Sequence, residues 1–230
     1  MTKISIIIPI LNEAKTITSL LNYLIESSLK ENIADIIVVD GGSTDNSVEV
    51  VSDFKNILLI KSEKGRAKQM NAGAKKATGS ILYFLHADSI PPKHFDQLII
   101  DEVENGNLSC CFKMQFDSTH WWLKLMGWFT QFSWPICRGG DQSLFITKSL
   151  FYKIGGYNES YVIYEDNILI KKLCQLKQFK VIQKNIITSA RLYKKHGVWK
   201  LQYHFFMIHL KHRLGASAKT LHNYYLKNIG

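Results

Sequence analysis

From Lys171 to the end the chain has no aspartate or glutamate, yet that stretch holds 13 lysines and arginines. The remaining 16 basic residues face 19 acidic ones, so residues 1 to 170 carry −3 and the formal charge of +10 belongs to the tail. Cysteine is scarce: Cys110, Cys111, Cys137 and Cys174 form no CxxC pair. The adjacent two would point to opposite faces of a strand, so all four read as reduced core thiols of a cytoplasmic protein. No run reaches 18 apolar residues, and His120 to Ile136 is broken by Lys124, Gln131 and Pro135, which excludes a spanning helix. Repeats, low-complexity segments and linkers are absent. Zinc-finger spacing and RNA-binding aromatic motifs are also missing, so nucleic acid is not the expected partner. Neither a GxGxxG fingerprint nor a P-loop occurs, so backbone amides alone would not cradle a phosphate.

What is present is a core-forming chain of 230 residues, 46% of them hydrophobic, a length that suits one large α/β domain. Short apolar runs alternate with amphipathic ones: Ile4 to Ile10, Ala14 to Ser27, Ile36 to Val39, Asn46 to Phe54, Ile57 to Ile60, Ala67 to Ala77 and Ile81 to Leu85. This order predicts repeated βαβ units on a mostly parallel sheet flanked by helices. The N-terminus has neither a charged leader nor a small-residue cleavage site, so it reads as a first strand. Asn12 with Glu13, and Ser43, Thr44 and Asp45, read as helix start signals. Further strands are expected at Cys110 to Phe116 and Ser143 to Ile146, and a helix from Asp166 to Lys177. The last third reads as a mixed extension of the same sheet, closed by basic amphipathic helices.

That tail mixes its cations with Trp199, Tyr203, Phe205, Phe206, Met207, Ile208 and Leu210, a composition suited to a membrane interface. Peripheral contact with the inner face of the cell membrane is therefore expected, with a solvated basic surface as the plain alternative.

Ligands of an open parallel sheet bind beyond the carboxyl ends of its strands. The residues found there are Pro9, Asn12 and Glu13; Asp40, Gly41 and Gly42; Lys61 to Arg66; and His86 and Asp88. Carboxylates at two ends and a basic glycine-containing loop at a third suggest a nucleotide and its phosphates. Charge neutralisation would fall to Arg66, Lys68 and Arg191, or to Mg²⁺ held by Asp88 and the ligand's own oxygens.

The segments SIIIPILNEA (5–14), VVDGGSTDNS (38–47), KGRAKQMNAGAKKATGSILYFLHAD (64–88), GGY (155–157) and YEDNILIKKL (164–173) together resemble family 2 glycosyltransferases of the GT-A fold. TSARLYKKHGVWK (188–200) is similar to the tail of a small bacterial subgroup of them. The resemblance implies transfer, with inversion, of a sugar from a nucleoside-diphosphate sugar to an acceptor hydroxyl, lipid-linked acceptors included, assisted by Mg²⁺ or Mn²⁺. It implies Asp40 on the nucleoside, with Pro9, Asn12 and Glu13 as the pocket wall and Arg66, Asn71 and Arg191 also on the donor side. Asp88 matches the last aspartate of the metal-binding DxD motif and Asp166 the catalytic base. His86 replaces the first aspartate, so His86 or His196 is a candidate extra ligand. Arg138, Asp141, Gln142 and Glu165 are expected on the acceptor side. The expected division is a GT-A domain over 1–195, with a nucleotide half at 1–110 and an acceptor half at 111–195, then a basic extension at 196–230.

Each residue also has a plainer role. Asp88 and Asp40 suit turns, Glu165 and Asp166 suit a helix N-terminus, and Arg66 and Arg191 suit a solvated surface. Arg138, Asp141 and Gln142 suit a turn held by Gly139 and Gly140. Trp121, Trp122, Trp128 and Trp134 suit packing, and His196 a structural place. Two rival functions also stay open: a sugar nucleotidyltransferase, and a non-catalytic, membrane-associated nucleotide-sugar-binding protein.

Overall fold

The computed structural model describes residues 2–134, 137–138 and 142–230. The first half runs β1 (Ile4–Ile10), α1 (Ala14–Ser27), β2 (Ile33–Asp40), α2 (Ser47–Ser52), β3 (Leu58–Lys61), α3 (Arg66–Lys76) and β4 (Ile81–Phe84). β5 (Ser89–Ile90), α4 (Phe95–Glu104), β6 (Ser109–Phe116), α5 (Trp121–Phe129), β7 (Leu144–Thr147) and α6 (Lys148–Lys153) follow. The chain closes with α7 (Glu165–Gln175), β8 (Lys180–Thr188), α8 (Arg191–His196), α9 (Val198–Arg213) and α10 (Ala218–Asn228).

The strands form one sheet in the order β3-β2-β1-β4-β7-β6-β8-β5. β3, β2, β1 and β4 are mutually parallel, as their continuous apolar runs require, and β7 enters antiparallel beside β4. β6 and β8 pair in parallel, with an irregularity between Phe112 and Lys113.

β1 is buried along its whole length because both its faces are covered. Ile4, Ile6, Ile8 and Ile10 enter one apolar cluster together with α1 and α4, whereas Ile7 enters the other with α3, α6 and α7. Close packing on the second face depends on Gly73 of α3, where a Cβ would lie 2.4 Å from Ile7 Cγ2. Burial pushes the Cys111 thiol up to about 11, an effect only partly offset by Arg138, and Cys110 is buried as well. Both behave as core thiols.

Leu201 and Ile208 of α9, Leu221 of α10 and the following Ile229 pack into the same cluster as β1, and the division expected at 195/196 falls within α8. α9 departs from the simple two-faced helix expected of the tail. Leu201 and Ile208 face the core, but Trp199, Tyr203 and Phe206 form a second apolar stripe in solvent. Among the described residues no helix is long and apolar enough to cross a membrane.

Candidate active site

The loops after β1 and β2 are stitched to each other. Asn12, in the left-handed region at φ 58°, accepts from Thr44 N at 2.8 Å with its side chain, and its own N–H donates to Ser43 Oγ at 2.9 Å. Glu13 N donates to Ser47 Oγ at 2.8 Å. Asn12 and Glu13 therefore do not cap α1 through their side chains; they brace the neighbouring loop. The buried Asp40 carboxylate accepts from Gly42 N at 3.1 Å and Ser43 N at 3.0 Å, a turn that needs glycine at 42, where φ is 95°. From α3, the buried Gln69 amide donates to Ile10 O at 2.8 Å and Val39 O at 2.7 Å, tying together the ends of β1 and β2. Pro9 is buried within β1, behind this floor.

Arg191, the first residue of α8, closes the opposite side. Its guanidinium forks onto Glu13, with Nη1 to Oε2 at 2.8 Å and a second bond from Nη2 to Oε1, and Nη2 also lies 3.3 Å from Asp88 Oδ2. Thr16 Oγ1 holds Glu13 from behind at 2.8 Å. Three candidates spread over 178 positions are thus brought into one contact.

Among the described residues no group of three or more His, Cys, Asp or Glu side chains is arranged to hold a metal ion. Five positions along α8 place His196 about 140° around the axis from Arg191, away from the face that reaches Asp88. Asp88, completed by ligand oxygens and water, fits a divalent ion, an arrangement Mg²⁺ accepts.

Asp166 and Glu165 occupy the first turn of α7, and both are buried. Glu165 pairs with Arg66 Nε at 2.7 Å, so the first residue of α3 is joined to the first turn of α7. The hydroxyl of Tyr157 approaches Asp166 in the interior. Burial first, then the Asp166 and Glu165 carboxylates, raise its pKa well above the ordinary tyrosine value. Asn71, expected on the donor side, instead clamps the loop that carries Tyr157: its amide bonds Tyr157 O at 2.9 Å, Tyr157 N at 3.0 Å and Glu159 Oε1 at 2.8 Å.

On the acceptor side Arg138 needs correction. Its side chain bonds Thr130 O at 2.6 Å, Phe132 O, Trp134 O and Cys111 Sγ, so its donors are committed to the 130–134 turn and to β6. Gln142 is buried with neither amide atom hydrogen-bonded among the described residues. Asp141 lies outside those residues.

Residues 5–160 match glycosyl transferase family 2. The chain belongs to that family. Curated relatives include glycosyltransferase AglE of Haloferax volcanii, 32% identical over 38% of this chain and 31% of its own length. Another is the poly(ribitol-phosphate) beta-N-acetylglucosaminyltransferase TarS of Staphylococcus aureus, 33% identical over 38% of this chain and 16% of its own. The matched parts thus span a third or less of those proteins. S. aureus TarS 1-349 in complex with UDP superposes with a TM-score of 0.66 at 18% identity, over 82% of this chain and 61% of that one. The mannosyltransferase PcManGT of Pyrobaculum calidifontis, solved with GDP-Man and Mn²⁺, gives 0.66 at 18%, over 97% and 69%. The fold of this family 2 chain is accordingly the mostly parallel GT-A sheet.

Three residues of this glycosyltransferase-family site escaped sequence reasoning. Gln69 lies on a helix, among Lys68, Met70 and Asn71, and not at a strand end. Tyr157 was visible only as the end of GGY. Tyr164, left-handed at φ 72° directly before Glu165, bonds His209 of α9 at 2.9 Å, a partner 45 positions away that local pattern cannot show.

Proposed function

We propose that the chain is an inverting glycosyltransferase, moving a sugar from a nucleoside-diphosphate sugar to an acceptor hydroxyl. The observation that carries this reading is the convergence of Glu13, Asp88 and Arg191 beyond the strand ends, in a chain of this family. The braced Asp40 loop receives the nucleoside, with Pro9, Asn12 and Glu13 as its wall. Arg191 turns from its carboxylates to the diphosphate, and Arg66 stands at the N-terminus of α3. Asp88, together with the donor's own oxygens, would hold Mg²⁺ or Mn²⁺, and the ion would supply leaving-group stabilisation. The neighbouring mannosyltransferase complex with GDP-Man and Mn²⁺ supports that choice of cofactor.

Asp166 accepts the proton of the acceptor hydroxyl as it attacks the anomeric carbon from the face opposite the leaving diphosphate. A single displacement follows, with no covalent sugar intermediate. Burial and the rigid first turn of α7 fix the base against the acceptor, and this positioning contributes much of its effect. Gln142, with its unengaged buried amide, is the strongest acceptor-side candidate of those expected, and Glu165 serves by holding Arg66.

Relatives include an undecaprenyl-phosphate 4-deoxy-4-formamido-L-arabinose transferase of Proteus mirabilis, which supports a lipid-linked acceptor; peripheral contact of the C-terminal segment with the inner membrane face rests on that segment's own basic and aromatic composition. A second reading, a non-catalytic nucleotide-sugar-binding protein, draws on Arg191 already occupying Asp88 and Glu13. Thermal-shift measurements with UDP, GDP and their sugars, with and without Mn²⁺, followed by donor-hydrolysis assays, separate the readings. Stabilisation with turnover supports transfer; stabilisation without turnover supports binding alone. Pyrophosphate release from a nucleoside triphosphate would indicate a nucleotidyltransferase, and no stabilisation by any of them would overturn all three.

A further inference from the structure

Exposed aromatic residues gather where α5 meets α9. On α9, Trp199, Tyr203 and Phe206 recur at helical spacing along one stripe and are 55, 57 and 60% exposed, while Leu201 and Ile208 on the other side enter the core. On α5, Trp121 is 61% exposed, and Lys124 and Trp128 continue its outward line. The two stripes touch: the Trp199 ring lies 5.9 Å from Trp121 and 5.1 Å from Trp122. Core burial does not require these rings, since both helices already bury a separate face.

We propose that this joined α5–α9 face is a docking surface for an anionic lipid bilayer. Charge complementarity selects that occupant. Lys124 on α5, Lys195 on α8 just before α9 and Lys200 on α9 are exposed, in a chain whose last 60 residues contain 13 cations and no acidic side chain. Indole and phenol rings with lysines beside them suit the headgroup boundary, where the apolar ring enters the acyl edge and the cation stays with phosphate. A second protein copy would meet the same positive field, which repels it.

The position of the surface matters for the site. Arg191 begins α8, a helix about 9 Å long that leads through Gly197 into α9. The inner side of α9 holds Tyr164 through His209, directly before Glu165 and Asp166. Docking through the aromatic stripe therefore sets the site near the membrane plane and defines which way it opens. The proposal deepens the peripheral contact of the preceding reading but does not depend on sugar transfer.

The test is co-sedimentation of the full chain with phosphatidylcholine vesicles containing or lacking 30% phosphatidylglycerol (about a third anionic lipid, enough for a negative surface potential). Binding is expected only to the anionic vesicles, with a blue shift of tryptophan fluorescence. The double variant Trp199→Ser and Phe206→Ser, at exposed positions, should lose at least about tenfold in partitioning, and Lys195→Glu with Lys200→Glu should do likewise. Nucleoside-diphosphate thermal shifts should remain as in the parent chain and report that both variants are folded. Vesicle binding absent from the parent, or unchanged in the aromatic variant, overturns the proposal. So does a concentration-dependent dimer that the aromatic variant abolishes. Absent nucleotide shifts with intact vesicle binding would instead overturn the functional reading alone.

Discussion

Arg191 lies 3.3 Å from Asp88 while its guanidinium forks onto Glu13, so one cation neutralises two carboxylates at the mouth of the strand-end crevice. A diphosphate or a divalent ion must compete with that contact. Asp88→Asn is expected to weaken Mn²⁺-dependent binding of UDP or GDP about tenfold or more, about 1.4 kcal/mol per tenfold, measured by calorimetry. Arg191→Gln should weaken the nucleotide both with and without metal. Equal affinities in parent and Asp88→Asn would remove Asp88 from the metal role.

Asp166→Asn keeps the shape of the side chain and removes the proposed base. Turnover should fall by about 10² to 10⁴ with donor affinity nearly unchanged. Tyr157→Phe should lower kcat by a smaller factor and leave KM for the donor in place, on the proposal that the buried Tyr157 hydroxyl positions Asp166. Near-normal turnover in Asp166→Asn would sink the assignment.

Arg138 holds the carbonyls of Thr130, Phe132 and Trp134 from inside the protein. Arg138→Met would orphan them and cost about 3 kcal/mol, a fall in Tm of about 6 to 12 °C for a chain of this size. Nucleotide-induced stabilisation should survive in differential scanning fluorimetry. An unchanged Tm accompanied by lost acceptor turnover would restore Arg138 to the acceptor side.

Burial, and then His212, hold the pKa of His209 below its ordinary value of 6.5, and burial and Lys171 do the same to His212. The unfolded chain therefore takes up protons at these positions before the native one does. Stability should be fully present above about pH 6.5 and decline as pH falls through that value toward the depressed native pKa. Urea titrations between pH 5 and 7.5 would show this, and His209→Gln should flatten the dependence. A slope of the opposite sign would contradict it.

Gly73→Ala should destabilise the chain by about 1 to 3 kcal/mol, because the new methyl meets Ile7 within the sheet-facing layer. Chemical denaturation would reveal a lowered midpoint with an unchanged slope; an unchanged midpoint would mean that Ile7 yields without cost.

The parallel half of the sheet was legible because its strands are continuous apolar runs, each followed by a polar end. β5 is two residues long and α4 follows a left-handed His94 without a side-chain cap, so neither carries a local signal. β8 loses its simple alternation at the irregularity opposite Phe112 and Lys113. At the site, strand-end logic brought out Glu13, Asp40 and Asp88, whose chemistry follows from where a strand stops. Arg138 was expected on the acceptor side, whereas three of its partners are main-chain carbonyls, which no pattern of side chains records. The Asn71 clamp on Tyr157 and Glu159, 86 and 88 positions away, leaves no local trace either.

Gln69 hangs the ends of β1 and β2 from a single side chain, three residues along from where α3 begins at Arg66. Widening the crevice by parting those strands would strand two carbonyls at once, so that route to a larger donor is closed. Change in specificity is left to the rim: the 40–47 loop and the segments after β7. The floor beneath can then stay the same while the ligand above it varies.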